Sequence, residues 1–588
     1  MNDPHSADST LSPALPSALP INEATAADLH RHALAAFRAG ETARARDTLD
    51  RALHLAPGDA TLWEHRGLIA ALAGEHLVAE ACYRRALSLS GGTASQHRNL
   101  ADVLKLAGRA DEACEHYRQA LACDPRLHHA ARRLGDLHQE AGRIDEAAQA
   151  LRHAWSLDDA TQQDGVDLLN ALARFAPAPE TEIDALIAAY RARFASDAVA
   201  LKELAFALNG LDRFADALDV ARQGLAIDAT LPLLHHNAAY ALHMQGDHAG
   251  MRRHNVEAAR LAPNEANIQF NLAISLLRDG EYEAGWKQYR WHERLAHNRT
   301  LAQPPFPEWQ GEPVDGRRFL LLGEQGLGDQ VQLLRGADWL ARRGAIVDVW
   351  VDAALVGIAS RARGVHRASA ALPPGPYDYW CRMFRMPERM AMTLDTLPGA
   401  MPYLSAEPDA VARWSDRLDA AAPRRPGRLR VGLVWAGNPG YDLDRYRSMK
   451  LAALLPAMLP SPGGAAVSWF ALQKGAAERE LAALPAGIDM TALGPEISTF
   501  DDTLAIAQSL DLVLTVDTSV AHLAGAAGVP VWVMLPLCTD WRWMCDRADS
   551  PWYPSARLFR QRELGNWDDV VEAVRVACVT LLALAAQR

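Results

Sequence analysis

The chain has 588 residues, of which 49% are hydrophobic and 22% charged, and its formal net charge at pH 7 is -12. This composition indicates a globular protein of several domains, and the negative charge argues against nucleic acid as the main partner, because neutralising phosphates needs an excess of Lys and Arg. The seven cysteines include no CxxC pair, so neither a disulfide framework nor a zinc site is indicated, and a reducing, cytoplasmic location is expected.

Residues 1–22 are rich in Pro, Ser and Ala and are predicted to form a disordered tail. They lack the basic and apolar regions of a secretory signal. No apolar run in the sequence approaches the roughly 18 residues of a membrane span. The sequence therefore predicts no membrane span.

An internal repeat occupies residues 23–295. Glycines recur every 34 residues, alanines follow them by five and by twelve positions, and the period returns after a degenerate stretch; the recurring turn positions are Gly40, Gly74, Gly108, Gly142, Asp212, Gly246 and Gly280. A 34-residue period with a glycine turn and small residues on the second helix is the tetratricopeptide repeat (TPR) pattern. We expect roughly seven to eight repeats, stacked as an α-solenoid whose concave surface binds protein.

Three asparagines, Asn99, Asn237 and Asn271, lie nine residues before the turn position of their repeats. This position lines the inner face of such solenoids, and a side-chain amide can both donate to and accept from an extended peptide backbone. One interpretation is therefore an acceptor-binding ladder. The other is that asparagine is simply common at this repeat position.

From about residue 300 the period changes. Short apolar segments alternate with helical patterns, at "RFLLLG", "AIVDVWV", "RVGLVWAG", "VSWFALQ", "DLVLTVD" and "PVWVML". This alternation predicts parallel sheets with crossover helices. Two Rossmann-like halves are expected, residues 296–428 with an entry segment and a linker, and residues 429–588 as the nucleotide-sugar-binding half with a terminal helix.

Polar residues cluster where these strands end, and ligands bind beyond the carboxyl ends of parallel strands. Asp517, Thr518 and Ser519 open a helix after a buried strand, and the free amides of a helix N-terminus attract anions. His522 lies one turn further on the same face. The cluster indicates a phosphate site, although an ordinary helix cap followed by a histidine has the same sequence.

The first strand end, "EQGLGDQ" at 324–330, has two glycines and no lysine, so it is not a phosphate loop of the G-x-x-x-x-G-K type. Gly326 and Gly328 would let the backbone approach a bound sugar. Asp329 would act as a general base or only as the cap of the following helix.

A second segment, "DWRWMCDRADSPWYP", carries Trp541, Trp543, Trp552 and Tyr553. These rings would stack on a sugar or base, or pack a long loop against the core.

The motifs "GEQGLGDQVQLLR", "VGLVWAGNP…DRYRS", "ALQKG" and "VDTSVAHLAGAAGVPVWVML" resemble those of bacterial TPR glycosyltransferases, whose catalytic part is similar to the heptosyltransferase superfamily of GT-B fold. The resemblance implies that Asp329 is the general base. It also implies that the terminal helix crosses back to the first half, and that the nucleotide-activated donor is bound by Gly326, Gly328, Asn438, Arg445, Arg447, Lys474, Asp517, Thr518, Ser519 and His522.

The activity that these features imply is glycosyl transfer from a nucleotide sugar to Ser or Thr hydroxyls of a protein held by the repeats, with flagellin among the acceptors that the resemblance suggests. Protein cations and helix N-termini would stabilise the leaving phosphate, so no metal and no cofactor is expected. Two alternatives stay open: a transferase acting on a surface glycan or lipid, and a non-catalytic TPR scaffold with a degenerate transferase domain. The sugar, the nucleotide and the stereochemical outcome are left open.

Overall fold

The computed structural model describes residues 25–174, 179–298, 303–397, 401–458, 467–485, 488 and 490–585. The chain divides into two compact units, residues 1–207 and 208–588, and each is described by itself. The predicted tail, residues 1–22, lies outside the described residues.

The repeat region is helical, as predicted. Consecutive helices pack in pairs, among them the first with the second and the third with the fourth. Sixteen helices precede the first strand within the described ranges: α1 Ala26–Arg38, α2 Thr42–Leu55, α3 Ala60–Leu72, α4 His76–Ser90, α5 Ala94–Leu106, α6 Ala110–Cys123, α7 His128–Glu140, α8 Ile144–Ser156, α9 Gln162–Arg174, α10 Glu180–Arg193, α11 Ala198–Gly210, α12 Phe214–Ile227, α13 Pro232–Met244, α14 His248–Leu261, α15 Ala266–Arg278 and α16 Tyr282–Tyr289.

The small residues do what the period predicts. The recurring alanines are completely buried between paired helices: Ala45, Ala52, Ala79, Ala86, Ala113, Ala120, Ala147 and Ala154. At the turns Gly40 has φ 79 and Gly246 has φ 79, a conformation that glycine adopts at little cost. Asp212 occupies the same turn position with φ 62, so the turn is kept there without a glycine.

The last repeats belong to the second unit together with the α/β region. Helix α16 inserts aromatic side chains into its core: Trp286 is 5.3 Å from Trp541 and Tyr289 stacks on Phe384 at 5.1 Å between ring centroids. The change of period near residue 295 is therefore not a break in packing. The domain boundaries inferred from the sequence stay predictions.

Two parallel sheets follow. The first contains β1 Arg318–Leu322, β2 Ile346–Trp350, β3 Val365–Ser369 and β4 Tyr379–Arg382 in the order β3-β2-β1-β4. The second contains β5 Leu429–Val434, β6 Val467–Ala471, β7 Met490–Ala492, β8 Leu512–Val516, β9 Val531–Leu535 and β10 Ala556–Arg560 in the order β10-β9-β8-β5-β6-β7. Numbered within each half, both follow the 3-2-1-4 order of Rossmann folds, and the second completes it as 3-2-1-4-5-6. The predicted fold class, a solenoid followed by an α/β region with two Rossmann-like halves, is confirmed.

The helices of the α/β region are α17 Leu327–Leu333, α18 Arg335–Ala341, α19 Val356–Ser360, α20 Met386–Arg389, α21 Pro408–Ala421, α22 Asp444–Arg447, α23 Leu455–Met458, α24 Phe500–Ser509, α25 Ser519–Ala526 and α26 Asp568–Ala585. No helix of the described residues is long and apolar enough to cross a membrane.

The expectation that the terminal helix crosses back to the first half is wrong. Helix α26 packs against α23 and β10, and its Val570 and Val574 are buried in the core of the second sheet. Helix α21, which precedes the linker, also packs against the second half: Trp414 Nε1 donates to Asp502 Oδ1 on α24 at 3.0 Å.

Candidate functional site

In a sheet of Rossmann order, ligands bind where neighbouring strands lead their connections in opposite directions. These points lie after β1 and β4 in the first sheet, and after β5 and β8 in the second. The loops after β1, β5 and β8 line one cavity of about 1600 Å³. Helices α13 and α15 of the last repeats line it as well.

Helix α17, after β1, packs directly against α25, after β8. A Cβ added to Gly328 would lie 2.6 Å from His522 Cδ2 and 3.4 Å from Ser519 Cα. The absence of a side chain at Gly328 therefore allows the two helices to pack closely. This corrects the expectation that its space is kept for a sugar, although Gly326 and Gly328 do line the cavity.

Asp329 caps α17, as one of the two interpretations predicted, and it also lies at the cavity. Its carboxylate accepts a hydrogen bond from the Gly326 N–H at 2.8 Å, which caps α17, and it also lines the cavity. Its other oxygen forms an ion pair with Arg542. Burial raises the pKa of Asp329 above its ordinary value, and the positive charge of Arg542 only partly opposes this.

Arg542 is a central residue to which the sequence assigned no role beyond its place between aromatic residues. Its guanidinium also donates to Gln332 Oε1 at 2.9 Å and to Asp540 Oδ1 at 2.8 Å. Burial opposes the charge of this arginine, but Asp329 and Asp540 outweigh it and raise its pKa. Burial likewise acts to raise the pKa of Asp540, and Arg542 reverses this and holds the pKa below its ordinary value. The only signal in the sequence was its place among the tryptophans of residues 540–554.

The N-terminus of α25 is built as the motif predicts. Thr518 caps the helix by accepting from the Val520 N–H at 3.3 Å, and Ser519 begins it. Asp517 precedes the cap, and burial together with the charge of Asp540 raises its pKa to about 6. Arg447 Nη1 donates to the Asp517 carbonyl at 3.0 Å. All of these residues line the cavity.

His522 has a different character from the one expected. It is 5% exposed, its Nδ1 lies 2.9 Å from the Tyr553 hydroxyl, and its ring stacks on Trp543 at 5.4 Å. Burial, with the nearby charge of Arg542, lowers its pKa to about 3. His522 is therefore neutral near pH 7. It reaches the cavity as a hydrogen-bonding ring and not as a cation for a phosphate.

Of the other predicted donor-binding residues, Asn438 and Lys474 line the cavity. Asn438 Oδ1 accepts from the Gly440 N–H at 3.0 Å, and Lys474 Nζ donates to the carbonyls of Gly494 and Ile497 at 2.7 and 2.9 Å.

The expectation that Arg445 binds the donor is corrected, because Arg445 is not among the residues that line the cavity. It donates to Asp212 at 2.6 Å, on the turn before α12, and to the Tyr446 hydroxyl at 2.9 Å. It therefore ties a repeat turn to the α/β region and leaves Arg447 as the cavity's cation from this loop.

The asparagine ladder is not continuous. Asn237 is 3% exposed, so its amide does not face an acceptor, and that expectation is wrong. Asn99 lies in the first unit on α5, where its side chain accepts from Arg98 at 3.1 Å. Asn271 lines the cavity and donates to His236 Nδ1 at 3.1 Å.

The aromatic segment after β9 follows the packing alternative. Trp541, Trp543, Trp552 and Tyr553 are at most 2% exposed. Trp552 Nε1 donates to the Tyr282 hydroxyl of α16 at 2.8 Å. Trp541 also forms part of the cavity wall.

Glu324 is a second residue that the sequence reasoning missed. It lies just after the first strand, is 7% exposed, and its carboxylate accepts a hydrogen bond from the Phe384 N–H at 3.0 Å. Burial raises its pKa to about 7. Its position two residues after a buried strand, at the cavity, was the available signal.

Comparison with known proteins identifies the repeats. Residues 94–119 match the tetratricopeptide repeat family. The chain is similar to Protein FlbA of Caulobacter vibrioides, with 25% identity over 456 residues, which covers 66% of this chain and 74% of the relative.

Among solved structures, a tetratricopeptide repeat protein from Parabacteroides merdae has 15% identity and a TM-score of 0.29, covering 43% of this chain and 98% of its own. The C-terminal part of a TPR repeat-containing protein from Cytophaga hutchinsonii has 13% identity and a TM-score of 0.31, covering 46% and 96%. The family match at residues 94–119, together with the 34-residue period and its buried alanines, shows that the helical region of this chain contains tetratricopeptide repeats.

Proposed function

We propose that the protein is a glycosyltransferase that moves a sugar from a nucleotide-activated donor to Ser or Thr hydroxyls of a protein acceptor. The observation that carries the proposal is the convergence of loops from two Rossmann-ordered sheets on one cavity of about 1600 Å³. Two such sheets around one cleft suit a reaction with two large substrates, one of which is a nucleotide.

The donor phosphates would lie at the N-terminus of α25. Free backbone amides and the helix dipole favour negative charge there, and the Thr518 and Ser519 hydroxyls add donors. Arg447 and Lys474 supply positive charge from the neighbouring strand ends. These groups would stabilise the charge that develops on the departing phosphate.

In the proposed step the acceptor hydroxyl oxygen bonds to the anomeric carbon, while the bond from that carbon to the phosphate oxygen breaks. The nucleotide leaves with the bonding electrons, and the hydroxyl proton passes to the Asp329 carboxylate. A base with a raised pKa suits this role, and burial raises the pKa of Asp329. Arg542 and the Gly326 N–H would hold that carboxylate in place.

The protein acceptor is supported by the repeat helices in the cavity wall. Tyr240 on α13 and Phe270 on α15 line the same cavity as Asp329. Repeat solenoids bind extended segments of protein, so a Ser- or Thr-containing segment could run from the repeats into the site. Flagellin stays a proposed acceptor, and the cytoplasm a proposed location.

The test has a binding arm and a transfer arm. Thermal unfolding of the full chain is followed with UDP, CMP, GDP and ADP and their sugar conjugates, since a ligand at 100 times its Kd adds about 2.7 kcal/mol of stability. Transfer is measured by intact mass of candidate acceptors, with Asp329→Asn and Thr518→Ala as site variants and Arg260→Met as an exposed control.

We expect one nucleotide class to raise Tm and Asp329→Asn to keep binding while losing transfer. If none of these nucleotides changes the Tm, the proposed donor site is refuted. Binding without transfer in the wild type would favour the non-catalytic scaffold, and a sugar found only on a glycan or lipid would favour that alternative.

A further inference from the structure

Helix α15 presents a polar stripe to the cavity. Asn271, Ser275 and Arg278 are spaced i, i+4 and i+7, which places them on one face, and all three line the cavity. Ser275 is already bonded: its hydroxyl donates to the Asn271 carbonyl at 3.0 Å and accepts from Asn255 Nδ2 at 2.8 Å. The stripe ends on an arginine.

The buried guanidinium of Arg278 has only weak hydrogen-bond acceptors. It is 3% exposed, and Nη1 makes its hydrogen bonds to His243 Nδ1 at 3.3 Å and Met251 Sδ at 3.0 Å. Its Nε has no partner among the described residues. Burial lowers the pKa of His243 well below its ordinary value, so this ring accepts as a neutral base.

The two carboxylates whose charges act on Arg278 are paired with other arginines. Asp279 forms an ion pair with Arg252 at 2.5 Å, and Asp540 forms one with Arg542 at 2.8 Å. Within the ranges that the structure describes, no carboxylate forms an ion pair with Arg278. Burial lowers its pKa from the ordinary value, and Asp540 and Asp279 do not reverse this.

A buried guanidinium without a carboxylate is costly, because neither water nor an opposite charge replaces its hydration. Such a cost is retained where the charge has a use, and Arg is the residue suited to planar, two-point contact with a carboxylate or phosphate. We propose that Arg278 and the α15 stripe form a subsite for an anionic group of a ligand bound in the cavity.

The residues of this subsite are different from those of the proposed diphosphate position. Helix α15 packs against the turn Trp541–Trp543, which lies in the loop that follows β9, whereas the diphosphate would use the loops after β5 and β8. The anion is therefore a second charged group, carried by the transferred sugar or by the acceptor segment. In this the inference rests on the proposed function, since it takes the cavity as the place where both substrates meet.

The test uses the full chain and the variant Arg278→Met, with Arg260→Met as the matched control, because Arg260 is exposed on the neighbouring helix α14 and paired with Glu257. Tm is measured in chloride, acetate and inorganic phosphate at equal ionic strength. Three further probes separate the sources: CMP and UDP for the donor phosphates, glucuronate for a sugar carboxylate, and an acidic Ser/Thr peptide for the acceptor.

We expect acetate or phosphate to raise the Tm of the wild type and of Arg260→Met but not of Arg278→Met. We also expect Arg278→Met without added anion to be at least as stable as the wild type, since the change removes an unpaired buried charge. The response to CMP and UDP should survive in Arg278→Met, while the response to glucuronate or to the peptide is lost.

Equal anion responses in wild type and Arg278→Met would overturn the subsite, as would a wild type that no anion stabilises. A variant that is less stable than the wild type without anion would show that Arg278 is a structural residue, which also overturns it. If no nucleotide binds but the anion response still depends on Arg278, the proposed transferase function fails and the subsite stands.

Discussion

The contact between α17 and α25 gives the most direct prediction. Changing Gly328 to Ala puts a methyl group 2.6 Å from His522 Cδ2, closer than two carbons approach, so one of the two groups must move. His522 has little freedom, because its Nδ1 is bonded to Tyr553 and its ring is stacked on Trp543. The backbone of Ser519 stands 3.4 Å away on the other helix.

Two responses are available to the Gly328→Ala protein. If the helices separate slightly, the cost is that of overpacking a core, about 1–3 kcal/mol. If His522 swings away, the buried Tyr553 hydroxyl loses its partner, which costs about 1–3 kcal/mol. In a cooperative unit as large as residues 208–588, about 1 kcal/mol moves Tm by only about 1 °C, because the entropy of unfolding grows with chain length. We therefore expect a Tm lower by about 1–4 °C and a weaker nucleotide response.

The matched control is Gly326→Ala. Its added methyl group meets only the Asp329 carboxylate oxygen at 3.0 Å, and its backbone is in an ordinary extended conformation. Denaturant unfolding and nucleotide titration are measured for both variants beside the wild type. A Gly328→Ala protein as stable as Gly326→Ala, with the same nucleotide affinity, would refute the reasoning that this contact holds the two halves of the site together.

Three further predictions follow from individual side chains. Arg447→Ala should weaken nucleotide binding by about tenfold or more, which is the contribution of one charge-assisted hydrogen bond, while Arg445→Ala should leave nucleotide binding nearly unchanged. Equal losses of affinity in calorimetry would contradict the conclusion that Arg445 does not line the cavity. Asp329→Asn should lower the transfer rate by about 10²–10⁴-fold with little change in nucleotide affinity, and a variant with full activity would exclude Asp329 as the base. Because burial raises the pKa of Glu324 to about 7, the folded protein keeps a proton between about pH 4.5 and 7 that the unfolded chain has released, and the stability from this group is lost as pH rises through that window. Glu324→Gln should therefore flatten the curve of unfolding free energy against pH, whereas Glu283→Gln, at an exposed position, should not.

The sequence predicted the central strands and missed the edges for one physical reason. The six strands predicted, β1, β2, β5, β6, β8 and β9, all lie inside their sheets, where both faces are covered and the residues form apolar runs. The four missed strands, β3, β4, β7 and β10, are the sheet edges. Segments such as "VHRAS" and "ARLFR" carry charges there because one side is open, and a pattern built on apolar runs passes over them.

Some residues of the candidate site were predictable from the sequence and others were not, again for a physical reason. Residues that follow a buried strand, such as Asp329, Asp517 and Thr518, were identifiable because a parallel sheet brings its strand ends to one edge. Arg542 and Arg278 were not, since neither follows such a strand in a recognised motif: the first acts through an ion pair with Asp329, and the second reaches the cavity from a repeat helix.

What the sequence by itself determined is the repeat, the α/β class and the strand-end residues, because period and apolar runs are local properties of the chain. Only the tertiary structure decided the state and the place of each side chain. It made His522 neutral by burying it against Trp543 and Tyr553, turned Arg445 toward Asp212, and used Gly328 to bring α17 against α25. Burial, charge pairing and close approach depend on residues hundreds of positions apart, and a local pattern carries no record of them.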